Sequence, residues 1–265
     1  MTDYFEECLR VAPVCYSLWR SLECKLYSSL DLNPPILDLG CGDGLFASIL
    51  FKKPIEAGID ISNNDIIMAK RTGIYKSLKF ADATKKIPYG NRHFSTVISN
   101  CVLEHIDNLD GLLAEVNRVL KKGGLFVFSV PSVYISNLLW TEPMKKVGLS
   151  KVEETIKIIF NIILKQKRFF SKEEWRRELK KYGFNVVSFR YYAQDPIEKI
   201  WSIFCFFDFW RMIFKMLFKR YYIFPSFKRN ILSPIEIRLL RKFYFINNKI
   251  GSGLFVVSKK IHDIK

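Results

Sequence analysis

Residues 36–47 read Ile36-Leu37-Asp38-Leu39-Gly40-Cys41-Gly42-Asp43-Gly44-Leu45-Phe46-Ala47, an apolar run broken by three alternate glycines and resumed as an apolar, helix-like segment. Ile36, Leu37 and Leu39 suit a buried parallel strand, while Gly40, Gly42 and Gly44 allow a tight turn and close backbone approach to a ligand. The stretch predicts a strand, a glycine loop and a helix start, with a nucleotide-sized molecule against the loop. A dinucleotide fingerprint places its third glycine three residues after its second. Here that position is Leu45, and the third glycine comes early, at Gly44. Asp38 and Asp43 also oppose phosphates but suit a positively charged ligand.

Further pieces follow downstream. Gly58-Ile59-Asp60-Ile61-Ser62 lies about twenty residues on, where an acidic residue ending a second strand can accept both ribose hydroxyl hydrogens. Phe80-Ala81-Asp82-Ala83-Thr84 closes a third apolar stretch. Phe94-Ser95-Thr96-Val97-Ile98-Ser99-Asn100 and Cys101-Val102-Leu103-Glu104-His105 read as a fourth strand and its following loop. Arg118 to Phe128 reads as a helix end, a glycine turn and a fifth strand.

In this order the segments resemble the motifs of class I S-adenosylmethionine-dependent methyltransferases, closely over 36–130 and partly over 171–191 and 253–260. The resemblance implies S-adenosylmethionine as cofactor, S-adenosylhomocysteine as product, and no metal. Carried over position by position, it assigns the cofactor to Asp38, Gly40, Cys41, Gly42, Gly44, Asp60, Ile61, Asp82, Ala83 and Asn100. Asp82 would accept from the adenine amine, and the Ala83 amide would meet a ring nitrogen. The implied fold is α/β and Rossmann-like: seven mainly parallel strands, the last antiparallel between the fifth and sixth, with helices on both faces.

The chain has 265 residues with 49% hydrophobic content, enough for a sizeable core. Its six cysteines include no Cys-x-x-Cys pair and stand with only three histidines, which argues against a zinc site or a disulfide framework. Cys41 and Cys101 are read as loop packing, because displacement at a sulfonium needs no protein nucleophile. The N-terminus lacks the basic start and apolar stretch of a secretory signal, which predicts a cytoplasmic location. The formal charge is +16, and the excess is confined to the second half. Residues 1–130 hold 15 Lys and Arg against 15 Asp and Glu; residues 131–265 hold 27 against 11. Of the 40 aromatic residues, 27 also lie after position 130.

The expected organisation is an N-terminal helical region (1–30), a cofactor-binding core (31–131), a first cap insertion (132–170), a core helix and strand (171–191), a second, aromatic and basic insertion (192–250), and a last core strand with a tail (251–265). Both insertions follow strands expected to run parallel to the first, so both leave from the carboxyl edge where open α/β sheets bind ligands. They are expected to form a helical cap over the acceptor.

In the second insertion Arg211, Lys215 and Lys219 recur every four residues among Trp201, Phe207, Trp210 and other apolar side chains, a cationic stripe extended backwards by Asp208. Its uncharged run is too short to cross a bilayer. Three readings stand: a lid helix packed in the cap, an interfacial helix meeting anionic head groups on the inner face of the membrane, and a nucleic-acid surface. The density of apolar side chains disfavours nucleic acid. Trp201, Phe207, Trp210, Arg211, Lys215 and Lys219 are the candidate contacts for substrate or membrane, and the acceptor is read as a hydrophobic small molecule or a lipid-linked one; the alternatives are methylation of RNA or protein, and a non-catalytic cofactor-binding partner of a membrane protein.

Methyl transfer mainly requires alignment of the acceptor and exclusion of water. An acidic hydroxyl acceptor also needs a base, and His105 after the fourth strand is the candidate. Its other reading is a helix-start histidine that only shapes the pocket.

Overall fold

The computed structural model describes residues 2–135, 141, 148, 150–155, 158, 168–218, 221–244 and 250–264. Within it the quoted run becomes β1 (Ile36–Leu39), buried along its whole length, and the glycines lead into α3 (Leu45–Leu50). Before it stand α1 (Tyr4–Val11) and α2 (Val14–Tyr27). After it come β2 (Ile55–Asp60), α4 (Asn63–Lys70), β3 (Tyr75–Phe80), β4 (Phe94–Asn100), α5 (Leu109–Val119) and β5 (Leu120–Pro131). The remaining labelled elements are α6 (Lys172–Lys181), β6 (Phe184–Tyr192), α7 (Ile197–Phe218), α8 (Ser233–Leu240) and β7 (Gly253–Lys260).

The seven strands form one sheet in the order β3-β2-β1-β4-β5-β7-β6. β1 pairs in parallel with β2 and β4, β2 with β3, and β4 with β5. The last strand reverses. Hydrogen bonds flanking β6 and β7 join Ile261 to Gly183 at one end and Ser252 to Ala193 at the other, so the two run antiparallel. The expected Rossmann-like sheet with an antiparallel seventh strand is the one observed.

One element differs in detail from its expectation. The fifth strand is expected to follow a glycine turn at Gly123 and Gly124, but β5 starts at Leu120, directly at the end of α5. Its pairing with β4 jumps from Phe94↔Leu120 to Thr96↔Leu125, so Lys121–Gly124 form an irregularity inside the strand. Gly123 takes φ +80 there, and a Cβ on Gly124 would lie 2.9 Å from the Ser95 carbonyl oxygen.

The chain divides into two compact units. One comprises Leu30–Val133, Lys165–Arg190 and Leu254–Lys265; the other comprises Met1–Ser29, Tyr134–Leu164 and Tyr191–Gly253. The first unit carries the sheet's core, built on Leu37, Leu39, Val97, Ile98, Phe126, Val127 and Phe128, all buried. In the same unit α6 opens with a capping box: Ser171 Oγ accepts from the Glu174 N–H, and Glu174 accepts from the Ser171 N–H.

The second unit is held by long-range polar contacts. α2 begins after Pro13, whose side chain cannot cap it. The acceptor comes instead from α7, where buried Asp208 takes the Cys15 N–H at 3.0 Å. Trp19 Nε1 donates to Glu198 at 3.3 Å, and Tyr192 Oη donates to Glu23 at 2.6 Å. Burial drives the Glu198 carboxyl well above its ordinary range, opposed by hydrogen bonds from Ser252 and Trp19. Among the described residues, no helix is long and apolar enough to cross a membrane.

Candidate functional site

The carboxyl ends of β1, β2 and β4 and the loop after β3 enclose a cleft of about 630 Å³. Gly40 and Gly42 line it from the quoted loop, Asp60 and Ile61 from the end of β2, Asp82 and Ala83 after β3, and Asn100 and His105 after β4. Eight residues singled out in the sequence are thus brought to one wall. Cys41, Asp38 and Gly44 lie beneath or beside it. Cys41 is buried, and desolvation, followed by the charges of Asp38 and Asp60, pushes its thiol far above the range in which a thiolate forms at neutral pH. Gly44 caps α3 in the left-handed conformation, with φ +76.

The two lining glycines have different reasons to be glycine. Both take positive φ, +72 at Gly40 and +52 at Gly42. A Cβ on Gly40 would meet Val102 at 2.4 Å, so this glycine is required by the protein's own packing. A Cβ on Gly42 would meet nothing within 4 Å. It would project into open space beside a cleft wall, where a ligand's atoms can instead approach the backbone.

Asp60 is fixed by two backbone donors, Gly42 N–H to Oδ2 and Ser62 N–H to Oδ1, each at 2.8 Å. Each oxygen keeps a further lone pair, a geometry suited to two vicinal hydroxyls. Burial raises its carboxyl above the ordinary value, against the pull of those two N–H groups. Asp82 shows the opposite balance. Thr84 donates to Oδ1 from both its hydroxyl, at 2.7 Å, and its N–H, at 3.0 Å, and the hydroxyl leads in holding the carboxyl below its usual range.

Asp38 lies under the loop, 3% exposed, and accepts from Tyr75 Oη at 2.7 Å. Desolvation pushes its carboxyl up to about 7, with the Tyr75 hydrogen bond opposing and the Asp60 charge adding. Tyr75 also packs under the glycines: a Cβ on Gly58 would come within 2.9 Å of its ring, and one on Gly44 within 3.1 Å. The sequence reading missed Tyr75. A tyrosine opening an edge strand carries no local signal, because its partner sits 37 positions away.

Asn100 donates to Ser129 Oγ at 2.8 Å, which orients its amide at the end of β4. Cys101 follows with φ +52, a strained position for a residue with a side chain, and turns the chain across the cleft. His105 is partly exposed, its Nε2 3.8 Å from the carboxylate of buried Glu104. Leu39, Ile59, Ala81, Thr84, Cys101, Val102, Ile106, Asp107 and Asn108 complete the lining, none of them assigned a ligand contact from the sequence.

The candidate acceptor-side residues lie in the other unit. Trp201 is 8% exposed, with its ring 5.0 Å from that of Trp19, so it does not present itself to solvent or to a membrane surface. Asp208 is buried as the cap of α2, which corrects its place at the head of a cationic stripe. Lys215 donates to Tyr221 Oη at 2.9 Å and stacks over that ring. Phe207, Trp210 and Arg211 fall within α7, but their side chains lie outside the described set, as does Lys219 altogether. Among the described residues, no group of His, Cys, Asp and Glu is placed to hold a metal.

Residues 20–189 match the model of a methyltransferase domain. The chain is 37% identical over 160 residues to an uncharacterized protein of Methanocaldococcus jannaschii, covering 57% of this chain and 62% of that one. It is 30% identical over 116 residues to a sterol 4-C-methyltransferase of Caenorhabditis elegans, covering 41% of this chain and 35% of that one. The chain thus spans less than two thirds of the length of these relatives. Among solved structures, an S-adenosylmethionine-dependent methyltransferase from Thermotoga maritima superposes with a TM-score of 0.58 at 17% identity, over 93% of this chain and 92% of that one. At that identity the likeness concerns the fold.

Proposed function

The chain belongs to the methyltransferase domain family, and from that premise we propose that it transfers a methyl group from S-adenosylmethionine to a hydrophobic small molecule. The observation that carries the cofactor half is Asp60, presented by the Gly42 and Ser62 amides at the edge of a cleft whose glycine floor leaves open space. Asp60 would take the ribose hydroxyls, Ile61 and Ala83 would flank the base, and Asp82 would accept from its exocyclic amine. The bound cofactor supplies an electrophilic methyl group on a sulfonium. The protein's part is to align the acceptor and keep water out. Where the acceptor is a hydroxyl, His105 beside Glu104 would take its proton.

The acceptor half rests on three supports: the apolar side chains of Val102 and Ile106 on the cleft wall, the aromatic enrichment of the second half of the chain, and the likeness to a sterol 4-C-methyltransferase.

Titration calorimetry with S-adenosylhomocysteine tests the first half. The wild type should bind, and Asp60→Ala should weaken binding by about tenfold or more, the scale of a lost charge-assisted hydrogen bond. Absence of wild-type binding would overturn the reading. Incubation with methyl-labelled cofactor and a panel of prenylated phenols, sterols and lipid extracts tests the second half. Label should enter the organic phase; label found only in added RNA or protein would reject a hydrophobic acceptor.

A further inference from the structure

The second unit carries an exposed apolar face that the cofactor site does not use. From Pro225 to Phe243 the chain is continuously helical: a turn of α-helix, π-helix at Lys228–Leu232, α8, and a 3₁₀ turn at Arg241–Phe243. One side is inward. Lys228, Ser233 and Leu240 are buried, Ser233 Oγ donates to the Leu9 carbonyl at 2.7 Å, and Lys228 pairs with Glu236. On the outward side Phe227, Ile231, Ile235 and Leu239 recur every four residues, and each is at least half exposed. Just ahead of the run, Ile223 is 56% and Phe224 72% exposed. Soluble surfaces carry single exposed apolar residues, but a run of this length marks a contact surface.

The charge around it says what kind of surface it meets. Residues 217–243 contain seven Lys and Arg and one acid, Glu236. Arg229, Arg238 and Lys242 are exposed beside the apolar stripe. A second copy of the chain docking face to face would set these cations against their own kind, which argues against self-association. A nucleic acid would leave the isoleucines, leucine and phenylalanines without an apolar partner. An anionic bilayer satisfies both features, since its acyl boundary takes the apolar stripe and its head groups take the cations.

We propose that the face formed by residues 223–242 docks on an anionic membrane surface, lying in the interface rather than spanning it. This face lies some twenty residues beyond the stripe of Arg211, Lys215 and Lys219 read from the sequence, on a helical run whose exposure the structure shows. The surface is read without cofactor or turnover, so its failure and that of the methyl-transfer reading are separately visible.

The test is flotation of the full chain with vesicles of phosphatidylcholine alone or mixed with phosphatidylserine. The protein should float with the anionic vesicles at low salt and be largely released at about 0.5 M salt, where screening leaves only a few ångströms of electrostatic reach. The triple variant Ile231→Ser, Ile235→Ser, Leu239→Ser should lose binding about fivefold or more, and Arg229→Glu with Arg238→Glu should lose it similarly. All five positions are exposed, and an unchanged thermal midpoint would verify that each variant is folded. Wild type that stays unbound at low salt overturns the proposal. So does binding that the serine variant leaves intact, because the attraction would then be the general basic charge of the chain. A concentration-dependent dimer that dissociates in the serine variant would assign the face to a second copy and overturn the proposal likewise.

Discussion

Gly40 and Gly42 stand two residues apart in the same loop with similar backbone angles, yet alanine should act differently at each. At both, forcing a side chain into the left-handed region costs about 1–2 kcal/mol. At Gly42 that is the whole structural cost, because the added methyl meets no protein atom. Gly42→Ala should therefore fold with a modest loss in urea midpoint but bind S-adenosylhomocysteine much more weakly. At Gly40 the methyl also overlaps Val102, so Gly40→Ala should lose about 3 kcal/mol or more. Part of that loss should return in the double variant Gly40→Ala, Val102→Ala. Equal urea midpoints for the two single variants would contradict this. Asp38 allows a second test at this scale. Its folded carboxyl holds a proton up to about 7, whereas an unfolded one releases it near 3.8. Between those values the folded state binds more protons, so this group's contribution to stability falls as pH rises from about 4 to 7 and then levels. In the variant Asp38→Asn the amide would keep an acceptor for Tyr75 without titrating. The melting temperature of that variant should match wild type near pH 4 and exceed it at pH 8; parallel curves would refute the assignment.

Among elements, α2 is the most dependent on a distant group. Its first turn would leave the Cys15 N–H unpaired in the interior if Asp208 were lost. Asp208→Ala should cost about 1–3 kcal/mol, the penalty for a buried donor without a partner, while Asp208→Asn should recover much of it because an amide oxygen still accepts. Chemical denaturation of the two variants would check the order. Asp208 also shows where sequence reading stops. Its spacing with Arg211 and Lys215 is a true helical periodicity, and α7 is a helix, but periodicity reports that residues share a stripe and not which way the stripe faces. The capping box at Ser171 was legible because its donors and acceptors lie within three residues. The cap on α2 was not, because its members are 193 residues apart.

At the scale of the whole molecule, the sheet was legible because its strands are short, apolar and punctuated by glycine and aspartate, and each motif occupies a few consecutive residues. The lining of the cleft was half legible for the same reason: Gly40, Gly42, Asp60, Asp82 and Asn100 sit at strand ends, whereas Ile106, Asp107 and Asn108 come to the wall through a loop with no repeating pattern. S-adenosylhomocysteine at a hundred times its dissociation constant adds about 2.7 kcal/mol to the state that binds it. For wild type the thermal midpoint should rise by roughly 5–10 °C, and for Asp60→Ala at the same ligand concentration it should rise by about half as much or less. An undiminished shift in Asp60→Ala would separate the stabilising site from this cleft.

The hydrogen bond between Cys15 and Asp208 has a consequence in time. During synthesis α1 and α2 emerge early, bearing the apolar residues Phe5, Leu9, Leu18 and Leu22, while the aspartate that completes the start of α2 is made 193 residues later. At translation rates of about 5–20 residues per second, that wait is roughly 10 to 40 seconds. The sheet's first five strands can pair within it. α1 and α2 must be shielded or remain soluble throughout, so the start of α2 is completed only well after the strands made between the two partners.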